Sequence, residues 1–271
     1  MTKPTNNGEA KRITLRGIRV DALTEQGCVD HLIRELEAGR GGWVITPNLD
    51  HMRRADTDAE FRQMLAEADV VVADGMPLIW ASRLQGTPLP ERVAGSSLVW
   101  TVAGAAAKAG RSLYLLGGDP GVADQAAAVL VQRYPDLKIV GTDCPEVGFD
   151  KQPGRIDEVV QKVLEADPDI VYVGLGSPKQ ERLIRQARVG LPHVWWLGVG
   201  ISLSFIAGDV RRAPGWVQKI GMEWVHRLLQ EPGRLAKRYL LHGLPFAARL
   251  FTAAILQRAK AKSEIPTRHT L

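Results

Sequence analysis

Short apolar runs that end in glycine or a small polar motif recur along this chain. Five of them, rich in β-branched or aromatic residues, cover 43–46, 70–73, 113–116, 170–173 and 195–197. Runs of this length without polar alternation are typical of strands that are buried on both faces, as in a parallel sheet. In such sheets ligands bind beyond the carboxyl ends of the strands, where this chain has Asn48, Asp74, Asp119 and Gln180.

Segments with helical spacing separate these runs. The predicted helices cover residues 24–39, 50–68, 77–84, 97–109, 122–134, 155–166 and 179–189, and one further strand covers 137–140. Strands that alternate with helices of this length predict a mainly parallel sheet with right-handed crossovers. We therefore expect an α/β fold in which helices flank the sheet.

The alternation stops near Pro214. Beyond it the spacing predicts only helices, near 215–230, 233–242 and 245–262, separated at Pro232 and Pro245. Residues 205–271 hold twelve Lys and Arg against four Asp and Glu, a net charge of +8 in a chain whose total is +5. Such a basic segment suggests an anionic membrane surface or a nucleic acid as partner, whereas the plain alternative is a solvated helical face.

The domain organisation follows from these patterns. We expect a disordered leader over 1–12, an α/β core over 13–213, a basic helical appendage over 214–262 and a flexible tail over 263–271. The leader lacks the apolar stretch of a signal peptide, and no run of about 18 apolar residues predicts a membrane-spanning helix. Cys28 and Cys144 offer neither metal-ligand spacing nor a disulfide framework.

Two glycine-rich turns follow predicted strands. Gly117 and Gly118 precede a helix whose free N-terminal amides could hold a phosphate. Gly174 and Gly176 would let the backbone approach an anionic or sugar-bearing ligand, and Gln180 adds a donor nearby. Neither turn is the G-x-G-x-x-G fingerprint of dinucleotide-binding proteins, and tight turns also need glycine for steric reasons alone.

Asp74 is the most informative acidic residue. It ends an apolar run and is followed by glycine, so it could simply cap the next helix. However, Thr46 and Asn48 end the strand that we expect beside it, and Arg92 could balance its charge. The D-x-D sequence at 56–58 lies within a helical stretch, so we interpret it as surface charge, and no spacing of ligand residues predicts a metal site.

An ordered set of motifs resembles the WecG/TagA/CpsF family of bacterial glycosyltransferases over roughly residues 13–250. The motifs are Thr46-Pro47-Asn48, Asp74-Gly75, Glu91-Arg92-Val93, Leu115-Leu116-Gly117-Gly118, the run from Gly174 to Glu181, Gly198-Val199-Gly200, Arg212-Ala213-Pro214, Glu223-Trp224, Arg227-Leu228 and Glu231-Pro232. The resemblance implies a Rossmann-like core that works without a metal or other cofactor. It implies inverting transfer of a sugar from a UDP-sugar to a sugar on a polyprenyl diphosphate, in cell-surface polysaccharide or teichoic-acid-type synthesis.

The resemblance also implies a location, partners and residue roles. The protein would be cytoplasmic and peripheral on the inner leaflet of the cytoplasmic membrane, with no nucleic acid partner; a homo-oligomer is left open. Asp74 would be the catalytic base, with Thr46, Asn48, Arg92 and Gln180 binding substrate. Nucleotide binding would fall to Gly117, Gly118, Gly174, Gly176, Gly198 and Gly200. The acceptor diphosphate would be held by Arg227, Arg234, Lys237 and Arg238.

The chain departs from the family pattern at several positions. Many members have Thr-Gly-x-Asp where this chain has Ala94-Gly95-Ser96-Ser97, Ser204 stands at a frequent Asp, and Leu183 at a frequent Trp. Such acids could bind donor hydroxyls, so these departures bear on the donor sugar.

Two other classes of protein stay open. A nucleotide-dependent oxidoreductase would share the fold but should carry the missing fingerprint, and a non-catalytic membrane- or RNA-binding protein would not explain Asp74.

Overall fold

The computed structural model describes residues 11–219 and 221–263. The predicted leader, 1–12, and the predicted tail, 263–271, lie almost entirely outside the described residues. The side chain of Arg234 also lies outside them.

Six parallel strands form the central sheet, which confirms the predicted fold. They are β3 (Gly42–Ile45), β4 (Val70–Val71), β5 (Ser112–Gly117), β6 (Lys138–Asp143), β7 (Ile170–Gly174) and β8 (Trp195–Gly198), in the order β4–β3–β8–β7–β5–β6. Two further strands, β1 (Arg12–Leu15) and β2 (Ile18–Asp21), pair as an antiparallel hairpin. The apolar-run criterion missed this hairpin because its strands mix polar with apolar positions.

Helices cover both faces of the sheet. In the core they are α1 (Glu25–Glu37), α2 (Leu49–Thr57), α3 (Ala59–Glu67), α4 (Met76–Gln85), α5 (Gly95–Lys108), α6 (Val122–Arg133), α7 (Arg155–Ala166), α8 (Lys179–Ala187) and α9 (Ser202–Ala207). Buried side chains from α1, α5, α6 and α9 pack on one face, and those from α2, α3, α4, α7 and α8 pack on the other. Neighbouring strand residues alternate between the two clusters: Trp195 belongs to one and Trp196 to the other.

The helix predicted over 50–68 is in fact two helices. Asp58 interrupts it with an extended backbone, and its side chain accepts a hydrogen bond from the Phe61 amide at the start of α3. An aspartate that can cap a helix competes with helix continuation, which the periodicity of Met52, Phe61 and Met64 does not reveal. Asp56, from the same D-x-D sequence, pairs with Arg16.

The C-terminal appendage is helical, as expected, but its helices divide differently. They are α10 (Gly215–Lys219), α11 (Glu223–Gln230), α12 (Pro232–Ala236), a π-helical stretch (Lys237–Gly243) and α13 (Leu244–Ser263). Pro245 was predicted to separate two helices, yet the chain remains helical through it. Pro245 stands at the second residue of α13, directly after the wider π turns, so its missing amide does not interrupt the helix.

The helix Lys237–Ala261 meets a composition criterion that the search for an unbroken apolar run does not apply. An 18-residue window within it has a mean hydropathy of 1.4, so by length and composition alone it could cross a membrane. Isolated basic residues such as Arg249 break the run without making the helix polar on average. Phe246, Leu250 and Ala254 pack into the core cluster alongside α4, so one face of this helix belongs to the folded protein.

Candidate active site

The carboxyl ends of the six parallel strands form one edge of the sheet. Along it, in spatial order, lie Asp74 beyond β4, Thr46 and Asn48 beyond β3, and the glycine turns beyond β8, β7 and β5. Neighbouring strands lie about 4.8 Å apart, so this edge measures about 19 Å from β4 to β5. The residues predicted at strand ends therefore share one side of the molecule.

Asp74 does not cap the helix that follows it. The N-cap of α4 is Gly75, and no side chain caps that helix. Instead, Asp74 Oδ2 accepts a hydrogen bond of 3.3 Å from the amide of Gly95, the first residue of α5. The Asp74 amide donates to the Pro47 carbonyl at 2.9 Å, which ties the two strand ends together. The capping alternative is thus wrong for α4, and the carboxylate faces the start of a different helix.

Thr46 lies beside Asp74, as predicted. A Cβ atom added at Gly95 would stand 3.1 Å from Thr46 Oγ1 and 3.9 Å from Asp74 Oδ2. The absence of a side chain at Gly95 therefore leaves the space between the hydroxyl and the carboxylate free.

The surroundings of Asp74 change its acidity. Burial raises the pKa of this carboxyl from 3.8 to about 6; the charge of Arg92 lowers it and the charge of Glu223 raises it further. Such a group is mostly ionised at neutral pH yet basic enough to take a proton from a hydroxyl as that hydroxyl reacts. A carboxyl perturbed in this way at a strand end is a candidate general base.

Arg92 is part of an ion network that sequence reasoning missed. Its Nη1 lies 3.0 Å from Glu223 Oε2, and the other oxygen of Glu223 lies 3.2 Å from Arg212 Nε. Arg212 also donates to the Ser96 carbonyl and to Ser97 Oγ. Glu223 begins α11, so this network fastens the appendage to the first turn of α5 beside Asp74. Arg212 and Glu223 stand in the quoted motifs, but only the fold reveals that they meet.

Asn48 has a structural role and a free donor. Its side-chain oxygen accepts from the amides of Asp50 and His51, which caps α2. Its backbone amide donates to His51 Nδ1 at 3.2 Å and completes a capping box. Within the described part of the chain, the side-chain amide nitrogen of Asn48 has no partner, so it can donate to a ligand.

Gln180 lies below the surface of this edge rather than on it. Its side chain is 4% exposed. The oxygen Oε1 accepts from the Gly200 amide at 3.1 Å, and Nε2 donates to Glu181 Oε1 at 2.9 Å. The amide thus supports the turn beyond β8, and one N–H of Nε2 remains for another partner.

The predicted nucleotide-binding glycines fall into two groups. Four of them have neighbours that exclude a side chain: added Cβ atoms would stand between 2.6 and 2.9 Å from other atoms at Gly117, Gly118, Gly174 and Gly198. Gly176 and Gly200 have positive φ angles, and no atom lies within 4 Å of a Cβ added there. Close packing therefore explains the first four, and open space for a ligand remains beside the other two.

The basic residues assigned to the acceptor differ in their surroundings. Arg238 Nη2 pairs with Asp50 Oδ2 at 3.1 Å and so attaches the appendage to α2. Arg227 lies 3.9 Å from Glu231, and its Nε is buried without a hydrogen-bond partner among the described residues. Lys237 is exposed.

A cleft opens beside Arg92, between α4 and the start of the appendage. Its volume is about 410 Å³, and its lining comprises Met76, Ile79, Arg83, Pro90, Glu91, Arg92 and Gly215. The lining combines apolar side chains with two guanidinium groups and one carboxylate, that of Glu91. Such a surface suits a ligand that carries both an apolar and an anionic part.

Comparison with protein families assigns the chain independently of this geometry. The family model described as glycosyl transferase WecG/TagA/CpsF family matches residues 13–260, nearly the whole chain. The match spans the sheet edge around Asp74 and most of the helical appendage. It favours a transferase over the oxidoreductase and the non-catalytic protein that the sequence left open. The chain therefore belongs to the WecG/TagA/CpsF family of glycosyltransferases, which act in cell-surface polysaccharide or teichoic acid synthesis with nucleotide-sugar donors and lipid-linked acceptors.

Proposed function

We propose that this protein transfers a sugar, with inversion and without a metal ion, from a UDP-sugar to a sugar carried on a polyprenyl diphosphate. The observation that carries the proposal is the position of Asp74. Its carboxylate has a pKa of about 6, lies beside Thr46 and Arg92, and stands at one end of a row of strand-end turns.

The chemical step needs a base at this position. The acceptor hydroxyl oxygen forms a bond to the anomeric carbon on the face opposite to UDP, while the bond between that carbon and the UDP oxygen breaks. The proton of the hydroxyl passes to the Asp74 carboxylate, and UDP leaves with the bonding electron pair. A base held in hydrogen-bond reach of the hydroxyl accelerates such a step by about 10²–10⁴.

The donor is assigned to the glycine turns. Gly176 and Gly200 leave open space beside the backbone, and α6 and α8 begin without side-chain caps. Uncapped helix N-termini stabilise the negative charge of a diphosphate. The distance of about 19 Å along the edge lets a nucleotide on the β5 and β7 side present its sugar near Asp74.

The acceptor is assigned to the side where the appendage meets the core. The cleft beside Arg92 is lined by apolar side chains, two arginines and Glu91, and Arg227, Arg234, Lys237 and Arg238 belong to the adjoining helices. Guanidinium groups bind diphosphates through paired hydrogen bonds. Arg227 and Arg238 both have a buried Nε without a hydrogen-bond partner among the described residues. Arg238 pairs with Asp50 at 3.1 Å, whereas Arg227 lies 3.9 Å from Glu231, so the guanidinium group of Arg227 is the less neutralised of the two.

The appendage is also assigned to the inner leaflet of the cytoplasmic membrane. Opposite its docked face, α13 and the preceding π-helical stretch expose apolar side chains, namely Leu240, Leu241, Leu244, Ile255 and Leu256. Arg249 and Lys260 lie on the same helix. An apolar stripe accompanied by basic residues favours a helix that lies in the interface of an anionic membrane.

The ligand chemistry of the described residues supports the proposal of metal independence. No group of three His, Cys, Asp or Glu side chains within residues 11–219 and 221–263 is arranged to hold a metal ion. The D-x-D residues Asp56 and Asp58 pair with Arg16 and cap α3 instead. Cationic side chains and helix N-termini would then hold the leaving diphosphate.

The donor sugar depends on residues that differ from the common family pattern. Ser97 stands where many members carry Asp, and its hydroxyl accepts from Arg212 Nη2 at 3.0 Å. An aspartate at this position would hold Arg212 more tightly, so the serine leaves more of the cationic charge of Arg212 to other partners. The donors to compare first are those with N-acetylmannosamine, its uronic acid and glucose.

A direct assay tests the proposal. Radiolabelled UDP-sugars with these three groups are incubated with synthetic polyprenyl-diphosphate-linked monosaccharides, with and without excess EDTA. We expect label in the lipid product from at least one donor, at the same rate in EDTA. Activity that is lost in EDTA and restored by Mg²⁺ or Mn²⁺ would contradict metal independence, and no transfer from any UDP-sugar would contradict the donor assignment.

A further inference from the structure

Glu181 is a buried carboxylate without a role in the step above. It is the third residue of α8 and is 1% exposed. One oxygen, Oε1, accepts from Gln180 Nε2, but Oε2 has no hydrogen-bond partner among the described residues. Burying a carboxylate is costly unless it interacts with donors or positive charge, so a residue of this kind needs an explanation.

The first connection of Glu181 fixes the orientation of Gln180. The Gly200 amide can only donate, so the Gln180 atom that faces it at 3.1 Å must be the oxygen. The nitrogen of the same amide then faces Glu181, which can only accept. The carboxylate therefore prevents the Gln180 side chain from turning over, and it keeps the remaining N–H of Nε2 in a fixed direction.

The charge of Glu181 also acts on His51. Burial lowers the pKa of His51, and the charge that raises it most is that of Glu181; Asp50 also raises it, whereas Arg238 and Arg54 lower it. His51 Nδ1 accepts the hydrogen bond from the Asn48 amide. The neutral ring must then carry its proton on Nε2, and its titration responds to the charge of Glu181.

We propose that Glu181 is a positioning residue that holds the side-chain amide of Gln180 in one orientation. The proposal rests on the function proposed above, because it takes Gln180 to contact the substrate. Carboxylates behind functional residues commonly set side-chain orientation in this way.

Two substitutions separate charge from hydrogen bonding. Glu181→Gln keeps an acceptor for Gln180 but removes the charge that acts on His51. Glu181→Met removes both and keeps an unbranched side chain of similar length. The control is Glu158→Gln, which removes a carboxylate from the exposed pair with Arg155 on α7.

The first measurement needs no substrate. Nitrogen-15 spectra of the histidine rings, assigned with a His51→Gln variant, report the protonated ring nitrogen and its titration. In the wild type we expect His51 to be protonated on Nε2 near neutral pH. In Glu181→Gln its titration should move to lower pH, because the loss of a negative charge disfavours the imidazolium, whereas Glu158→Gln should leave it unchanged. A His51 titration that Glu181→Gln does not move would show that Glu181 carries no charge and could itself donate to Gln180, which overturns the proposal.

The second measurement separates positioning from general loss of structure. Transfer by Glu181→Met should fall by about 10- to 100-fold, the range found when a supporting residue behind a functional group is lost. Its affinity for UDP, which lacks the sugar, should change by less than about threefold. A parallel loss of UDP binding would make Glu181 a residue of fold stability, and unchanged transfer would give it no role; either result overturns the proposal. A wild type that transfers no sugar would contradict the proposed function alone, since the histidine spectra would still decide the role of Glu181.

Discussion

Arg92 Nη1 and Glu223 Oε2 lie 3.0 Å apart although the two residues are separated by 131 positions in the chain. Arg92 belongs to the core and Glu223 begins α11 of the appendage. Both charges act on Asp74, one lowering and the other raising its pKa. The attachment of the appendage and the acidity of the proposed base are therefore properties of the same ion pair.

The Glu223→Gln variant tests this coupling. It removes a charge that raises the Asp74 pKa and leaves Arg92 less neutralised, so both effects lower that pKa. In a plot of transfer rate against pH, the rise on the acidic side should therefore move to lower pH. The control variant Glu165→Gln, on the exposed side of α7, should not move it. If the rate of Glu223→Gln rises at the same pH as that of the wild type, or at a higher pH, the proposed coupling is contradicted.

The Asp74→Asn variant should be more stable than the wild type at neutral pH. The folded carboxyl has a pKa near 6 against 3.8 for the ordinary group, so between about pH 4 and pH 6 the folded chain holds the extra proton. Stability of the wild type therefore falls as the pH rises through this window, by at most about 3 kcal/mol. Asparagine keeps the acceptor for Gly95 and removes the buried charge.

Urea unfolding at about pH 4 and about pH 7.5 measures this effect. The two proteins should be similar at the lower pH and differ at the higher. The variant Asp30→Asn, whose carboxylate is exposed, should match the wild type at both. Equal stability of Asp74→Asn and the wild type at the higher pH would show that burial does not penalise this carboxylate.

Two glycines should respond differently to alanine. Gly174→Ala would bring a Cβ to 2.9 Å from Leu203 Cδ1 and should destabilise the fold by about 1–3 kcal/mol through overpacking. Gly176→Ala has space but a φ of +75°, which costs about 1–2 kcal/mol, and the new methyl group would point into the proposed nucleotide space.

UDP titration of these variants separates packing from binding. Gly176→Ala should weaken UDP binding by about tenfold, or 1.4 kcal/mol. The matched control is Gly154→Ala, where φ is +78° and nothing lies within 4 Å, but which precedes α7 on another part of the chain. If Gly154→Ala and Gly176→Ala affect UDP binding equally, the turn beyond β7 does not contact the nucleotide.

The exposed leucines of the appendage should govern membrane binding. The protein should bind vesicles that contain phosphatidylglycerol, bind phosphatidylcholine vesicles less, and dissociate at high salt. The double change Leu241→Glu with Leu244→Glu should weaken sedimentation with vesicles, because it places charge on the apolar stripe. The control is Val147→Glu. Val147 is 95% exposed and lies in the α/β domain, outside the appendage. Equal binding by both variants would contradict the proposed membrane face.

Point changes are preferable to removal of residues 214–271. Phe246, Leu250 and Ala254 are buried in the same cluster as Leu78 and Ile79 of α4. Deletion would expose this apolar surface, so a loss of transfer could reflect a damaged core.

The strand ends were the part of the site most accessible from sequence. Buried parallel strands have a distinctive composition, and their carboxyl ends necessarily meet, so Asp74, Thr46 and Asn48 were identified together. The Arg92–Glu223 pair was not, because contacts over such a separation leave no local pattern. Packing likewise decided which glycines face open space, and it placed Gln180 below the surface.

The same reasoning explains the errors in the helices. Periodicity sees the apolar face that Met52 and Phe61 share, but it does not see Asp58 capping a second helix between them. Likewise, Pro245 predicts a helix boundary only when regular α-helical bonding precedes it, and here a π-helical stretch does.

The most direct test of the central claim is the pH dependence of sugar transfer by the wild type and by Asp74→Asn. With Asp74 as the base, the wild-type rate should rise through a pKa near 6. The variant should bind UDP normally, be slower by about 10²–10⁴, and lack that ascending limb. A variant within about threefold of the wild type, or one that retains the limb, would contradict the assignment of Asp74 as the base.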